Sequence, residues 1–167
     1  MLRLILISVG LFSIFSSKAQ KVESSAYELM LSGLLSHSVN EIGVDEFAKA
    51  TEDYLILDAR AEKEFKVSHI EGATWVGYEN FDLSTIEDMP KDKPVLVYCS
   101  VGYRSEKIAE KLEKAGFKNV TNLYGGIFEW KNQGHSVVDT SQNETERVHA
   151  YSRSWGIWLN KGKKVYE

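Results

Sequence analysis

The chain has 167 residues, of which 43% are hydrophobic and 26% charged, with a formal net charge of −4. That size and balance suit one folded domain with a core of useful volume. Only two prolines and no basic run or stripe occur, which argues against a long disordered linker and against nucleic acid as a partner.

The first residues set themselves apart. Arg3 supplies a positive charge, Leu4 to Phe15 form an apolar run, and Ser17 and Ala19 are small residues two apart. That order of charged, apolar and small-x-small segments is a secretory signal, with residues 1–19 expected to be removed and Gln20 left at the mature N-terminus. The run is short for a stable bilayer anchor, and no cysteine stands at the cleavage point to carry lipid. Without Arg3 and Lys18, 18 basic residues face 24 acidic ones, a net charge near −6. The protein is thus expected to be exported, to the periplasm or beyond, with no membrane anchor after cleavage.

Four segments are expected: the signal, an N-terminal helix within residues 20–38, a domain over 39–138 and an aromatic-rich extension over 139–167. Ser24 to Ser36 reads as a helix, because Tyr27, Met30, Leu31, Leu34 and Leu35 recur on one face. Val39 to Ile42 suits a short strand, and Asp45 the N-cap of a short helix through Ala50. Tyr54-Leu55-Ile56-Leu57 and Val95-Leu96-Val97-Tyr98 are unbroken apolar runs, the pattern of parallel strands covered on both faces. Between them, Ala61 to Phe65 reads as helix, Gly72 to Val76 as strand, and Phe81 to Asp88 as a short helix stopped by Pro90.

Ser105 to Ala115 is the clearest helix. Ile108, Ala109 and Leu112 form its apolar stripe, Glu106, Lys107, Glu110, Lys111, Glu113 and Lys114 its solvent side, and Gly116 its C-terminal cap. Asn119 to Tyr124 suits a strand and Gly125-Gly126 the start of a helix over Ile127 to Asn132. Strands alternating with helices predict an α/β domain with a mostly parallel sheet. Asp139 to Glu146 reads as a polar loop. The aromatic segment beyond it, with turn residues Asn160 to Lys163, reads as a hairpin packed on the domain.

Cys99 is the only cysteine, and in an exported chain a lone thiol is paired between molecules, free and reactive, or simply buried. It ends a buried strand and is followed by Ser100, Val101, Gly102, Tyr103 and Arg104, then a helix. Loop amides and a helix N-terminus favour an anion at this point, and such surroundings activate a thiol. Arg104 adds a charge with a rigid donor fork, and Gly102 permits the bend. A Cys-x5-Arg loop wraps a phosphate; here the spacing is Cys-x4-Arg, and the smaller ring suits a single sulfur atom carried on Cys99 as a persulfide. His37, His69, His135 and His149 show no ligand spacing, so no metal is expected. The lone Gly125-Gly126 pair is too little for a dinucleotide fingerprint. No second cysteine can resolve a disulfide within the chain.

Three segments in order, "LILDARAEKEFKVSHIEGATWV", "VLVYCSVGYRS" and "NLYGGIFEWKNQG", resemble the rhodanese-like domain family of single-domain sulfurtransferases across about residues 39–136. One departure is Ser68, where the family commonly has glycine before the histidine. The resemblance implies an α/β fold with a central, mostly parallel five-stranded sheet flanked by helices on both faces. It implies that Cys99 is the nucleophile, that the amides of Ser100, Val101, Gly102, Tyr103 and Arg104 hold the persulfide, and that Arg104 binds a small anionic donor such as thiosulfate. A thiol or cyanide would accept the sulfur, with no cofactor beyond the covalent persulfide. Asp58, Arg60 and His69 fall at positions that are mostly structural in the family.

Two alternatives remain at this level: a non-enzymatic partner-binding module, and a cysteine-dependent phosphatase. Tyr151, Arg153, Trp155 and Trp158 lie outside the resemblance and either extend the core or line a pocket mouth. Asn143-Glu144-Thr145 matches a glycosylation acceptor by chance spacing.

Overall fold

The computed structural model describes residues 21–167, so the expected signal lies outside the described residues. Five strands, β1 Asn40–Ile42, β2 Leu55–Asp58, β3 Thr74–Trp75, β4 Val95–Tyr98 and β5 Val120–Leu123, form one sheet in the order β1-β5-β4-β2-β3. All four pairings are parallel, with Leu57 beside Val97 and Leu96 beside Thr121 in the register. Such pairings need crossover connections, and the intervening helices supply them.

The apolar run of β4 has the burial its composition implies. All four residues are buried, and successive side chains enter opposite layers. Val95 and Val97 pack with Ile108, Ala109 and Leu112 of α4, Tyr103–Lys114. Leu96 and Tyr98 pack on the other face with residues of α1, Ser25–Leu34, α2, Val44–Phe47, and α5, Gly126–Asn132. Burying Ile108 and Leu112 contributes roughly 2 kcal/mol each. Helix α4 ends where Gly116, at φ +92°, reverses the chain and lets the Phe117 amide reach Leu112 O at 3.1 Å.

Several local expectations are corrected. Helix α2 starts at Val44 with Gly43 as its cap, so Asp45 lies inside the first turn; Val44 is fully buried and draws the start forward. Residues 81–88 hold only a 3-10 turn, Leu83–Ile86, capped by Asp82. The segment 139–146 is not a plain loop: β6, Val137–Val138, and β7, Glu144–Thr145, pair antiparallel around a turn held by Asp139 Oδ1. Glu106 is fully buried rather than on the solvent side, because the Ser36 and Ser38 amides both donate to its carboxylate, at 3.0 and 3.1 Å.

The C-terminal segment is not a hairpin. Strand β8, Arg147–His149, pairs in parallel with β9, Lys163–Val165, and the aromatic segment forms the crossover between them. Trp158 stacks on Tyr27 of α1 with ring centroids 5.3 Å apart. Asn132 of α5 ties the crossover down, donating to Trp158 O at 2.9 Å and accepting the Asn160 amide at 2.6 Å. The two terminal segments therefore pack on each other, on the same face of the sheet.

Candidate active site

The site forms at the carboxyl end of β4, where the chain turns from strand to α4. Cys99 is 1% exposed, and its Sγ accepts a hydrogen bond from the Gly102 amide at 3.1 Å. Gly102 adopts φ +123°, a conformation that L side chains rarely take, so the loop curls back on the sulfur. Helix α4 begins at Tyr103, and the first amides of a helix have no intrahelical acceptor. That positive end of the helix directly follows the Gly102 amide that donates to the sulfur.

The loop is held from behind by a close backbone approach. Ile127 and Phe128 donate their amides to Cys99 O and Ser100 O at 2.9 and 3.1 Å. Gly126 permits this: at φ +56°, a Cβ there would lie 2.4 Å from Cys99 O. Gly126 thus serves the active-site loop, a role the sequence reading did not give it, while Gly125 makes room for Glu129 and Val22.

Arg104 is committed to an internal partner. Its Nη1 and Nη2 donate to Glu64 Oε2 and Oε1 at 2.7 and 2.9 Å, and Nη2 also reaches Ser100 Oγ at 2.9 Å. Glu64 further accepts the Ser100 hydroxyl and the Ala61 amide. Burial pushes the Glu64 carboxyl up, but the hydrogen bonds and charge of Arg104, helped by Arg60, hold it down to about 2. Glu64 is the residue sequence reasoning missed. Its signal lay in the quoted Glu-Phe pair of α3, Glu62–Val67, where a carboxylate occupies a 1% exposed position.

Asp58, Arg60 and His69 stand behind this layer, and none of them lines the cleft. The Asp58–Arg60 pair is fully buried at 2.6 Å, and Arg60 Nη2 also donates to Ser68 O at 2.6 Å. Burial opposes the Arg60 charge, yet Asp58 outweighs it and keeps the guanidinium above its ordinary pKa. His69 stacks on Phe65 and exchanges backbone hydrogen bonds with Val138, which fixes the loop before β3. Ser68, the departure from the family pattern, is fully buried.

Above Cys99 opens a cleft of about 270 Å³. Ser100, Val101, Tyr103 and Arg104 form its floor and wall, with Tyr78 and Glu79 on one side and Leu34 of α1 on another. Tyr151 and Trp155 complete its mouth, and the Arg104 guanidinium lies over the Tyr151 ring at 5.1 Å. The aromatic tail thus divides its work: Tyr151 and Trp155 line the mouth, Trp155 and Trp158 both pack against the core, and Arg153 lies over Tyr166 outside the cleft. His149 sets the position of Tyr151, accepting its amide on Nδ1 at 3.1 Å. Burial lowers the His149 pKa, which suits a neutral ring with Nδ1 free to accept.

Comparison with known proteins agrees with this geometry. The family model of the rhodanese-like domain matches residues 43–133. The thiosulfate sulfurtransferase GlpE of Coxiella burnetii is 35% identical over 91 residues, 54% of this chain and 83% of that one. A tRNA uridine(34) hydroxylase of Listeria welshimeri is 39% identical over 89 residues, which cover 49% of this chain but only 28% of the hydroxylase. Among solved structures, a rhodanese-related protein of Thermoplasma volcanium superposes with a TM-score of 0.51 at 25% identity, covering 60% of this chain and 98% of its own. Neither α1 nor the crossover carrying Tyr151 and Trp155 falls within the matched family segment. By that match and by the loop built around Cys99, the chain belongs to the rhodanese-like domain family.

Proposed function

We propose that the protein is an exported sulfurtransferase that carries a sulfane sulfur on Cys99. The observation that carries this reading is the Gly102 amide donating to Cys99 Sγ at the floor of an open cleft. A structural thiol has no need of a loop curled into a cradle around its sulfur. The Coxiella burnetii relative, a thiosulfate sulfurtransferase by name, supports the same chemistry.

The Cys99 thiolate attacks the outer sulfur of a donor such as thiosulfate. A new S–S bond forms to Cys99, the donor's S–S bond breaks, and sulfite leaves with the bonding electron pair. The resulting persulfide anion sits beside the Gly102 amide and the start of α4, an arrangement prepared before the reaction that stabilises the developing charge. A thiophilic acceptor then takes the outer sulfur and restores the thiolate, a two-step covalent cycle that requires no metal or redox cofactor. Export, expected from the charged, apolar and small-x-small order of residues 1–19, would put this chemistry outside the cytoplasm, and the lone cysteine leaves the carried sulfur no competing thiol in the chain.

The test is an intact-mass spectrum of residues 20–167 before and after thiosulfate, beside Cys99→Ser. A gain of one sulfur atom, reversed by cyanide and absent from the variant, is expected. Folded protein with a free thiol that gains no sulfur from thiosulfate or from polysulfide overturns the reading.

A further inference from the structure

The proposed sulfur acceptor can be narrowed by what lines the cleft. Its guanidinium is neutralised: Arg104 is held by both oxygens of Glu64, a carboxylate that stays ionised across the ordinary pH range. The other charged residue lining the cleft is Glu79, an exposed carboxylate at the mouth that offers an anion no partner. No free cation faces the entering group among the described residues of the lining. What remains is apolar and aromatic: Leu34, Tyr78, Tyr103, Tyr151 and Trp155. A cleft of about 270 Å³ also falls just below the usual size of pockets for drug-sized ligands.

We propose that the physiological acceptor is a small thiol with an aromatic or apolar body and no net negative charge besides its thiolate, and that Tyr151 and Trp155 select it. This rests on the sulfurtransferase reading. The acceptor thiolate attacks the outer sulfur of the Cys99 persulfide anion, whose charge leaves with the transferred sulfur. One S–S bond forms to the acceptor, the bond to Cys99 breaks, and its electron pair returns to Cys99 as thiolate. The acceptor leaves as a persulfide, and no outside oxidant is consumed. The selecting rings come from the C-terminal crossover, beyond residue 133 where the family match ends. That crossover is fixed in place by Asn132 and by the Trp158–Tyr27 stack. The His149 ring holds the Tyr151 backbone at φ +63°, a conformation uncommon for a bulky residue. This segment is therefore positioned over the loop rather than draped across it.

The test starts from protein loaded with one sulfur atom, as verified by mass, and follows single-turnover transfer to benzyl mercaptan and to glutathione, an anionic thiol with a polar body. Wild type is expected to favour benzyl mercaptan by more than tenfold in apparent second-order rate. Tyr151→Ala and Trp155→Ala are each expected to cut that preference about tenfold, the worth of one lost aromatic contact with its buried area. Tyr151→Phe, which keeps the ring, is expected to retain it. Tyr151 is 52% exposed, so its truncation leaves the core packed. Equal rates for the two thiols in wild type, or an unchanged preference in alanine variants that still load sulfur, overturns the acceptor assignment and leaves the sulfurtransferase standing. Wild type that never loads sulfur overturns both.

Discussion

Arg104 and Glu64 meet as a two-point ion pair directly beside the reactive loop, 2.7 and 2.9 Å apart at their two contacts. The pair locks the first turn of α4 to α3 and cancels the one cation that the loop offers to a substrate. It is also sheltered, with side-chain exposures of 16% and 1%. Glu64→Gln keeps the shape but frees the charge. Its expected effects oppose each other: a loss of roughly 2 kcal/mol in stability, as a charged hydrogen bond becomes a neutral one, and a severalfold lower KM for thiosulfate. Urea unfolding and steady-state sulfur transfer measure the two. An unchanged or higher KM would show that Arg104 already serves the donor despite its partner.

The same pair makes the fold sensitive to acid. The Glu64 carboxyl drops from its ordinary 4.5 to about 2 in the folded state, so between those values the unfolded chain binds more protons. Its stabilisation is complete above pH 4.5, falls as pH falls, and is gone below about 2. The full difference corresponds to about 3 kcal/mol. Denaturant midpoints measured from neutral pH down to the acid limit should therefore slope more steeply in wild type than in Glu64→Gln. Parallel profiles would assign the acid sensitivity to other groups.

Glycine at position 126 is required by distance as well as by φ. A Cβ there would meet Cys99 O at 2.4 Å and Ser100 O at 2.6 Å, both of them backbone atoms of the reactive loop that cannot swing away. Gly72, at φ +76°, has nothing within 4 Å of its added Cβ and serves as the control. Gly72→Ala is expected to cost about 1 kcal/mol, the conformational penalty alone. Gly126→Ala is expected to cost more than about 2 kcal/mol and to slow persulfide formation, because the loop must shift to make room. Thermal unfolding and the rate of sulfur loading read both effects. Equal costs for the two variants would mean the loop yields freely.

Much of this arrangement is legible in the sequence, because it rests on local patterns. The apolar runs at β2 and β4, the stripe Ile108-Ala109-Leu112, and Cys99 followed by Gly102 and Arg104 each act over a few residues. The rest depends on partners far along the chain. Glu64 and Arg104 are 40 positions apart, and the burial of Glu106 answers amides 70 and 68 positions away. Nothing in the polar look of Glu106 signals that α1 would end against it. Strand β8 likewise pairs in parallel with β9, although the turn residues between them suit a hairpin. The crossover is instead fixed by the Trp158–Tyr27 stack, and Gly156 admits Tyr166 so closely that a Cβ would lie 2.8 Å from its hydroxyl.

Buried ionic groups behind the site carry a different risk. Asp58 and Arg60 are both fully buried and meet at 2.6 Å, and Asp58 also accepts the Arg60 amide at 2.8 Å. Asp58→Asn leaves the buried guanidinium without the carboxylate it is bonded to, at an expected cost of about 3 to 5 kcal/mol. An equilibrium urea curve measures it, and a cost under about 1 kcal/mol would show that Arg60 finds another acceptor.

Asn132 is the point at which the family domain grips its C-terminal extension. One side chain donates to Trp158 O at 2.9 Å and accepts the amides of Asn160 and Lys161 at 2.6 and 3.3 Å. It is 4% exposed, so these hydrogen bonds are sheltered on the Asn132 side although Asn160 and Lys161 are themselves exposed. Asn132→Ala strands three backbone groups of the crossover, while Cys99 and its loop stay tied to α5 through the Ile127 and Phe128 amides. The expected result is selective loosening. Amide hydrogen exchange over 155–165 should speed up by tenfold or more, while exchange in β4 and α4 stays slow, since a lost buried hydrogen bond is worth about 1 to 3 kcal/mol. If β4 and α4 loosen to the same degree, the extension and the sheet unfold as one unit, and the crossover is part of the domain's cooperative core rather than a wall added to its active site.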